Sequence, residues 1–224
     1  MMYLSRVEID DANRQKIKDL THLGAYHNWV EQSFPQELNA HERQRHLWRI
    51  DVLGGHRYLL LASHNRPDGT LLGTYGVPGT VIVKSYDAFL ASIRSGQLMQ
   101  FRLTANPVHT ITRPGHKQGR VVPHVTIAQQ RQWLIDRAES AGFELVQQVV
   151  TDDPDASVTR AFDIVSRDWP ILHRRMGRGV RLSRVTFEGL LRVKNLTVFK
   201  QTLTQGIGRE KAFGMGLMTI IPQD

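Results

Sequence analysis

Gly206, Gly208, Gly214 and Gly216 bracket Arg209 and Lys211 in the run Gly206-Ile-Gly-Arg-Glu-Lys-Ala-Phe-Gly-Met-Gly-Leu217. Glycine lets backbone amides come close to an anion, and the two cations add charge at the same place, a combination suited to a phosphate backbone. The alternative, which glycines alone favour, is a helix stop and a tight turn into a closing strand. The run is not a Walker loop, because no Gly-Lys-Ser/Thr follows, and no Gly-x-Gly-x-x-Gly opens a helix after a strand. Ten histidines supply groups that titrate near neutrality, so proton transfer is open to the chain, but residue type alone does not choose among them. His41 and His46 stand five apart in His41-Glu-Arg-Gln-Arg-His46, a spacing that does not stack two ligands on one helix face; no metal site is expected there, only an exposed polar helix edge. Phe213 lacks the companion aromatics of a base-stacking signature and is expected in the core. With no cysteine, disulfides and thiolate metal sites are excluded.

Charge distribution says more than the net value of +8. No acid lies between Asp87 and Asp136, whereas Arg94, Arg102, Arg113, Lys117, Arg120 and Arg131 do. From Trp169 to Gln223 only Glu188 and Glu210 oppose ten bases, among them Arg174, Arg175, Arg178, Arg181 and Arg184. The amino-terminal part carries Glu8, Asp10, Asp11, Asp19, Glu31, Glu37, Glu42 and Asp51 instead. Such polarity implies a polyanionic partner for the carboxy-terminal half, and nucleic acid fits best. A membrane partner does not fit: no run reaches the ~18 apolar residues of a span, and no basic amphipathic helix stands out. The amino terminus lacks the layout of a secretion signal, so a cytoplasmic location is expected.

The elements that must position these residues follow from periodicity. Tyr3 to Ile9 alternates as a half-buried strand, and about Asp11 to Gln32 reads as one helix ended by Phe34-Pro35. Leu47 to Val52 and Tyr58 to Ala62 form a hairpin across Leu53-Gly-Gly-His-Arg57, and Thr80 to Tyr86 is a strand after a Gly/Pro-rich passage. The second half repeats the order. Leu98 to Ala105 is a strand, a basic loop runs from Arg113 to Arg120, Thr126 to Ala141 is a helix stopped by Gly142, and Phe143 to Val150 is a strand. A basic hairpin around Trp169 to Gly179 leads into the strand Val185 to Val193, where Glu188-Gly189 fits a bulge. Asn195 caps a helix through Thr204, and Leu217 to Ile221 closes the chain as a strand. The expected class is α+β: two tandem ferredoxin-like (RRM-like) βαββαβ domains, residues 1–92 with a degraded second helix and residues 93–224.

Four blocks in register carry a resemblance: Met2-Tyr-Leu-Ser-Arg-Val7, Phe101-Arg-Leu-Thr-Ala-Asn-Pro107, Phe187-Glu-Gly-Leu-Leu-Arg-Val193 and the glycine-rich run. Together they resemble the CRISPR-associated endoribonuclease of type I-E Cascade systems, the CasE family, over nearly the whole chain, more loosely in residues 36–80 and 108–180. The resemblance implies two ferredoxin-like domains. It also implies cleavage of the precursor CRISPR transcript at the foot of each repeat stem-loop without metal or other cofactor. The product is then held together with the other Cascade subunits.

Cutting RNA without metal uses the neighbouring 2′-hydroxyl as nucleophile, so one group must take its proton, another should protonate the leaving 5′-oxygen, and cations should steady the phosphorane. By the resemblance His27, ahead of Phe34-Pro35, holds the position of the family's catalytic histidine. Family members often carry a tyrosine three residues earlier on the same helical face; here Gly24 stands there and Tyr26 is adjacent, about 100° away on a regular helix. Tyr26 is assigned as helper only if the segment is irregular, with core packing as the equal alternative. Arg113, Lys117, Arg120, Arg174, Arg175, Arg178, Arg181 and Arg184 are expected on the RNA stem, with Arg102, Gly206, Gly208, Arg209 and Lys211 as further contacts. A rival reading is a non-catalytic RNA-binding subunit. A small-molecule regulator of the same fold would leave the one-sided charge unexplained.

Overall fold

The computed structural model describes residues 1–40, 43–112, 119–149, 158–172 and 179–223. The first half contains β1 (Tyr3–Glu8), α1 (Arg14–Ile17), α2 (Leu23–Gln32), α3 (Pro35–Ala40), β2 (Leu47–Leu53), β3 (His56–Ser63), α4 (Gly69–Leu72), β4 (Ile82–Ser85) and α5 (Asp87–Ser92). Its strands form an antiparallel sheet in the order β2-β3-β1-β4. Gly54 and Gly55, with φ of 59° and 83°, make the two-residue turn that sets the β2–β3 register, Leu53 facing His56.

The sheet's two faces are set by alternation. Val7, Leu59 and Leu61 point to one side and pack with Leu23, Tyr26, Trp29 and Val30 of α2. Met2, Leu47 and Ala62 point to the other, where they join Phe101, Leu103, Phe187 and Leu217 of the second half. One apolar cluster therefore spans the expected boundary at residue 92.

The single helix expected over Asp11 to Gln32 is two. Asn13 caps α1. The chain then extends at His22 (φ −152°, ψ 160°), whose Nδ1 accepts the Ala25 amide at 3.2 Å and starts α2 afresh. The break lets both Leu20 and Leu23 face the sheet. Pro35 does not simply end the helical region: it opens α3, where a missing amide costs nothing.

The second half contains β5 (Leu98–Ala105), β6 (Val108–Ile111), β7 (Arg120–Pro123), α6 (Ile127–Ala138), β8 (Phe143–Leu145), β9 (Gln147–Val149), β10 (Val158–Arg160), β11 (Phe162–Asp168), β12 (Ile171–Leu172), β13 (Val180–Arg181), β14 (Arg184–Val193), α7 (Leu196–Gln205) and β15 (Met218–Pro222). The main sheet runs β11-β14-β5-β15, and β8 shares with β11 the same edge of β14. A Thr126–Gln129 capping box opens α6, and Gly142 in the left-handed region (φ 84°) follows the turn after it. Asn195 caps α7 through the Val198 amide at 3.1 Å.

Two expectations here need correction. The strand expected from Phe143 to Val150 is split at Val146, whose amide turns to the Leu190 carbonyl. The bulge is not at Glu188-Gly189, which pair in register with Arg102 and Phe101; the register shifts in β11, between Ile164 and Ser166. Gly189 is needed for a different reason: a Cβ there would overlap the Ala161 carbonyl oxygen and Phe162 Cα. The expected turn at Asp152 to Asp155 lies outside the described residues. β12 pairs with β13 beyond β11 and β14, which gives the basic hairpin its stem.

Candidate active site

His27 lies on α2, one helical position past buried Tyr26 and three before buried Val30, so its ring leaves the core at the helix flank. Three elements close around it. From α2 itself comes Glu31, whose Oε1 is 3.8 Å from His27 Nδ1. From the segment joining α3 to β2 come Arg43, Gln44, Arg45 and His46; from the carboxy-terminal half come Gln205 and Ala212. Phe213 presents its ring to the imidazole edge-on, centroids 5.7 Å apart and planes at 61°. Nδ1 is buried with no hydrogen-bond partner among the described residues, while the side chain keeps 31% of its surface, so the exposed edge is the other one.

The electrostatics favour a neutral ring. Burial is the largest effect and pulls the imidazole below its usual 6.5; the positive fields of Arg43 and His46 act the same way, and Glu31 opposes them. Lys211 is also held below the usual lysine range, first by burial and then by Arg45. An open cleft with a neutral imidazole, two arginines on its wall and a partly desolvated lysine next to that wall can accept a proton and steady a developing anion.

The glycine-rich run brings Lys211 and Phe213 here. A Cβ on Gly214 (φ 76°) would fall 2.6 Å from the Trp48 ring, and one on Gly206 (φ 74°) would fall 2.8 Å from Leu47. Trp48 Nε1 then donates to the Ala212 carbonyl at 3.0 Å. The glycines permit close packing of the run on β2. The Gly206 amide donates to the Thr202 carbonyl at 2.9 Å, so it is not open to an anion. Gly208 packs near Trp133, and Arg209 is exposed.

Tyr26 is not brought to His27. Helix α2 is regular there, and the Tyr26 ring stacks on Trp48 at 5.9 Å inside the core. Its hydroxyl accepts from Arg57 Nη1 at 3.2 Å and lines a separate cleft with His22, Arg57 and Arg184. Regularity of the helix is the physical reason: adjacent residues diverge by about 100°. Phe213, expected in the core, is half-buried against the imidazole. Of the exposed polar edge expected over His41 to His46, Arg43, Gln44 and Arg45 are exposed and His41 and Glu42 lie outside the described residues, whereas His46 is buried, stacked on Phe34 at 3.8 Å and set between Glu31 and Glu37. Sequence reasoning missed Glu31, Arg43, Arg45 and His46 as neighbours of His27. The i, i+4 spacing of His27 and Glu31 was the one signal available.

Of the expected RNA contacts, Arg120 and Arg181 are exposed, the latter with its guanidinium 5.3 Å from the Trp169 ring centroid. Arg184 is engaged by Asp168, and Arg102 pairs with both Asp51 and Glu188. Arg113, Lys117, Arg174, Arg175 and Arg178 lie outside the described residues. Among the described residues no group of three or more His, Cys, Asp or Glu side chains is arranged to hold a metal ion, and no helix is long and apolar enough to cross a membrane.

A family model described as CRISPR associated protein matches residues 2–222. The CRISPR-associated endoribonuclease Cse3 of Thermus thermophilus is 26% identical over 229 residues, covering 99% of this chain and all of that one. The Cascade subunit CasE of Escherichia coli K12 is likewise 26% identical over the same share of both chains. In three dimensions the chain resembles Thermus thermophilus Cse3 bound to an RNA representing a pre-cleavage complex, with a TM-score of 0.76, 25% identity and 99% of each chain covered.

Proposed function

This chain belongs to the CRISPR-associated protein family, within it to the type I-E Cascade endoribonucleases of the CasE group, and from that premise we propose that it cuts precursor CRISPR RNA at the base of the repeat stem-loop. It then retains the guide as a Cascade subunit. The observation that carries the reading is His27, a buried-edge imidazole opening into a cleft walled by Arg43 and Arg45. Each half is read as a ferredoxin-like unit, residues 1–92 and 93–224; the matching strand orders β2-β3-β1-β4 and β8-β14-β5-β15 support that reading.

The reaction needs no metal. His27, held neutral by its burial, takes the proton of the 2′-hydroxyl upstream of the cut. That oxygen bonds to phosphorus, the bond from phosphorus to the 5′-oxygen breaks, the leaving oxygen takes a proton from water, and the His27 imidazolium returns its own proton to solvent. The products are a 2′,3′-cyclic phosphate and a 5′-hydroxyl. Arg43, Arg45 and Lys211 steady the extra charge on the phosphorane. Arg120, Arg181, Arg184 and Arg209, with Arg113, Lys117, Arg174, Arg175 and Arg178, bind the stem through phosphate oxygens and groove edges.

The test is cleavage of labelled repeat RNA in excess chelator. Cutting is expected, and it should stop when the 2′-hydroxyl upstream of the cut is replaced by hydrogen. His27→Ala should abolish cutting and keep RNA affinity within about threefold, since the imidazole acts on the transition state. Cleavage that survives the deoxy substitution overturns the mechanism. One observation favours a second reading, an RNA-holding subunit without catalysis: Gly24 stands where family members often have a tyrosine, and Tyr26 serves the core instead. Tight binding with no cutting would select it.

A further inference from the structure

Glu31 is pinned from several sides. Its Oε1 accepts from His46 Nδ1 at 2.9 Å, and Arg43 Nη1 stands 3.9 Å from Oε2. His46, with 2% of its side chain exposed, lies flat on Phe34 with planes 9° apart. Its Nε2 faces Glu37 at 3.3 Å, so each ring nitrogen meets a carboxylate. Glu37 is fixed in turn by Asn65 Nδ2 and the Gln44 amide, both at 2.8 Å. A polar chain thus runs from the interior, through Glu37, His46 and Glu31, and ends facing His27 Nδ1 at 3.8 Å. Burying two carboxylates and an imidazole costs desolvation that a hydrophobic replacement would avoid, so the chain's stability does not explain it.

Resting on the nuclease reading above, we infer that Glu31 is a positioning residue for His27. It holds the neutral imidazole in the tautomer with its proton on Nδ1 and leaves the lone pair on Nε2 for the 2′-hydroxyl; His46 and Glu37 keep Glu31 in place. The placement of the carboxylate favours this tautomer. A lone pair on Nδ1 would face a carboxylate oxygen, whereas an Nδ1 proton is attracted to it. When Nε2 accepts the substrate proton, the imidazolium gains a carboxylate partner that closes from 3.8 Å to hydrogen-bond range, as such contacts tighten in the reacting complex.

The groups that face His27 from every packed element fit one pattern. Arg43, Arg45 and His46 approach from the segment before β2, Phe213 from the turn before Gly214, with Lys211 behind Arg45, and Gln205 from the end of α7. Among these described residues Glu31 is the acid; the other charged neighbours are bases. Its carboxylate is what counters burial and the cations at the imidazole.

The test uses the intact chain and has a readout other than cleavage. Nitrogen-15 NMR of His27 in the wild type without RNA should show Nδ1 protonated and Nε2 unprotonated in the neutral ring; the reverse tautomer overturns the inference. In Glu31→Gln the titration midpoint of His27 should fall, because the opposing carboxylate is gone. With it, the His27-dependent limb of the single-turnover pH–rate profile should move to lower pH. The plateau rate should drop by roughly 10²-fold while RNA affinity stays within about twofold. An unmoved midpoint in a folded variant overturns the inference. Should Glu31→Gln fail to fold, the wild-type tautomer still decides. The outcomes separate from those of the nuclease reading: a His27→Ala chain that still cuts removes the reaction and leaves the tautomer measurement untouched.

Discussion

At the scale of single residues, His27 combines accessibility at one ring edge with burial at the other, and that conflict has a consequence for stability. Burial depresses its folded pKa below 6.5, so between pH 6.5 and the folded value the unfolded chain binds more protons, and stability falls on acidification. Glu31 also titrates low, but its contribution persists until pH drops below 4.5, a separate window. The melting temperature of wild type relative to His27→Gln should therefore decline from pH 8 toward pH 5; a constant difference would mean the imidazole is not desolvated. His27 is singled out only by the family resemblance, which places it ahead of Phe34-Pro35. Its neighbours were not readable from the chain, because Arg43, Arg45 and His46 reach it across a bend between α3 and β2 that no local pattern specifies.

At the scale of elements, helix ends and turns follow local chemistry closely. Thr126 and Asn195 cap where side-chain oxygens can serve free amides, and Gly54-Gly55 turns where positive φ is required. The glycine-rich run differs, since its conformation is imposed by β2. Gly214→Ala combines left-handed strain of about 1 kcal/mol with overpacking against Trp48 of about 1–3 kcal/mol. It should lower stability by roughly 2–4 kcal/mol in denaturant unfolding. It should also slow cleavage by displacing Phe213 from His27. Gly54→Ala meets no atom within 4 Å and should show the strain alone, at full cleavage rate. Equal effects of the two substitutions would contradict the packing role.

At the scale of the whole molecule, the halves are joined by a buried cation as well as by shared hydrocarbon. Arg49, 1% exposed, donates from Nη1 to the carbonyls of Arg102 (2.9 Å) and Leu217 (3.0 Å), from Nη2 to Thr219 Oγ1 (2.8 Å) and Asp51, and from Nε to Asp51 (2.7 Å). All five guanidinium donors are used, one half supplying the cation and the other most of its acceptors. Arg49→Met should cost about 3 kcal/mol and lower the melting temperature by roughly 6–12 °C, because it strands two carbonyls at the junction. A change under about 2 °C would show the junction is hydrophobic alone. Taken by itself, the sequence determined the family, the basic carboxy-terminal half, the strands β1, β2, β3, β5 and β14 and the capped helices α6 and α7, because short motifs, alternation, caps and charge are local properties of the chain. The tertiary structure alone decided that Tyr26 turns to the core, that Gly206 and Gly214 pack on β2, that Glu31 and His46 meet beside His27, and that Arg49 bridges the halves. Those placements depend on which faces meet across residues far apart in the chain, and contact of that kind leaves no periodicity behind.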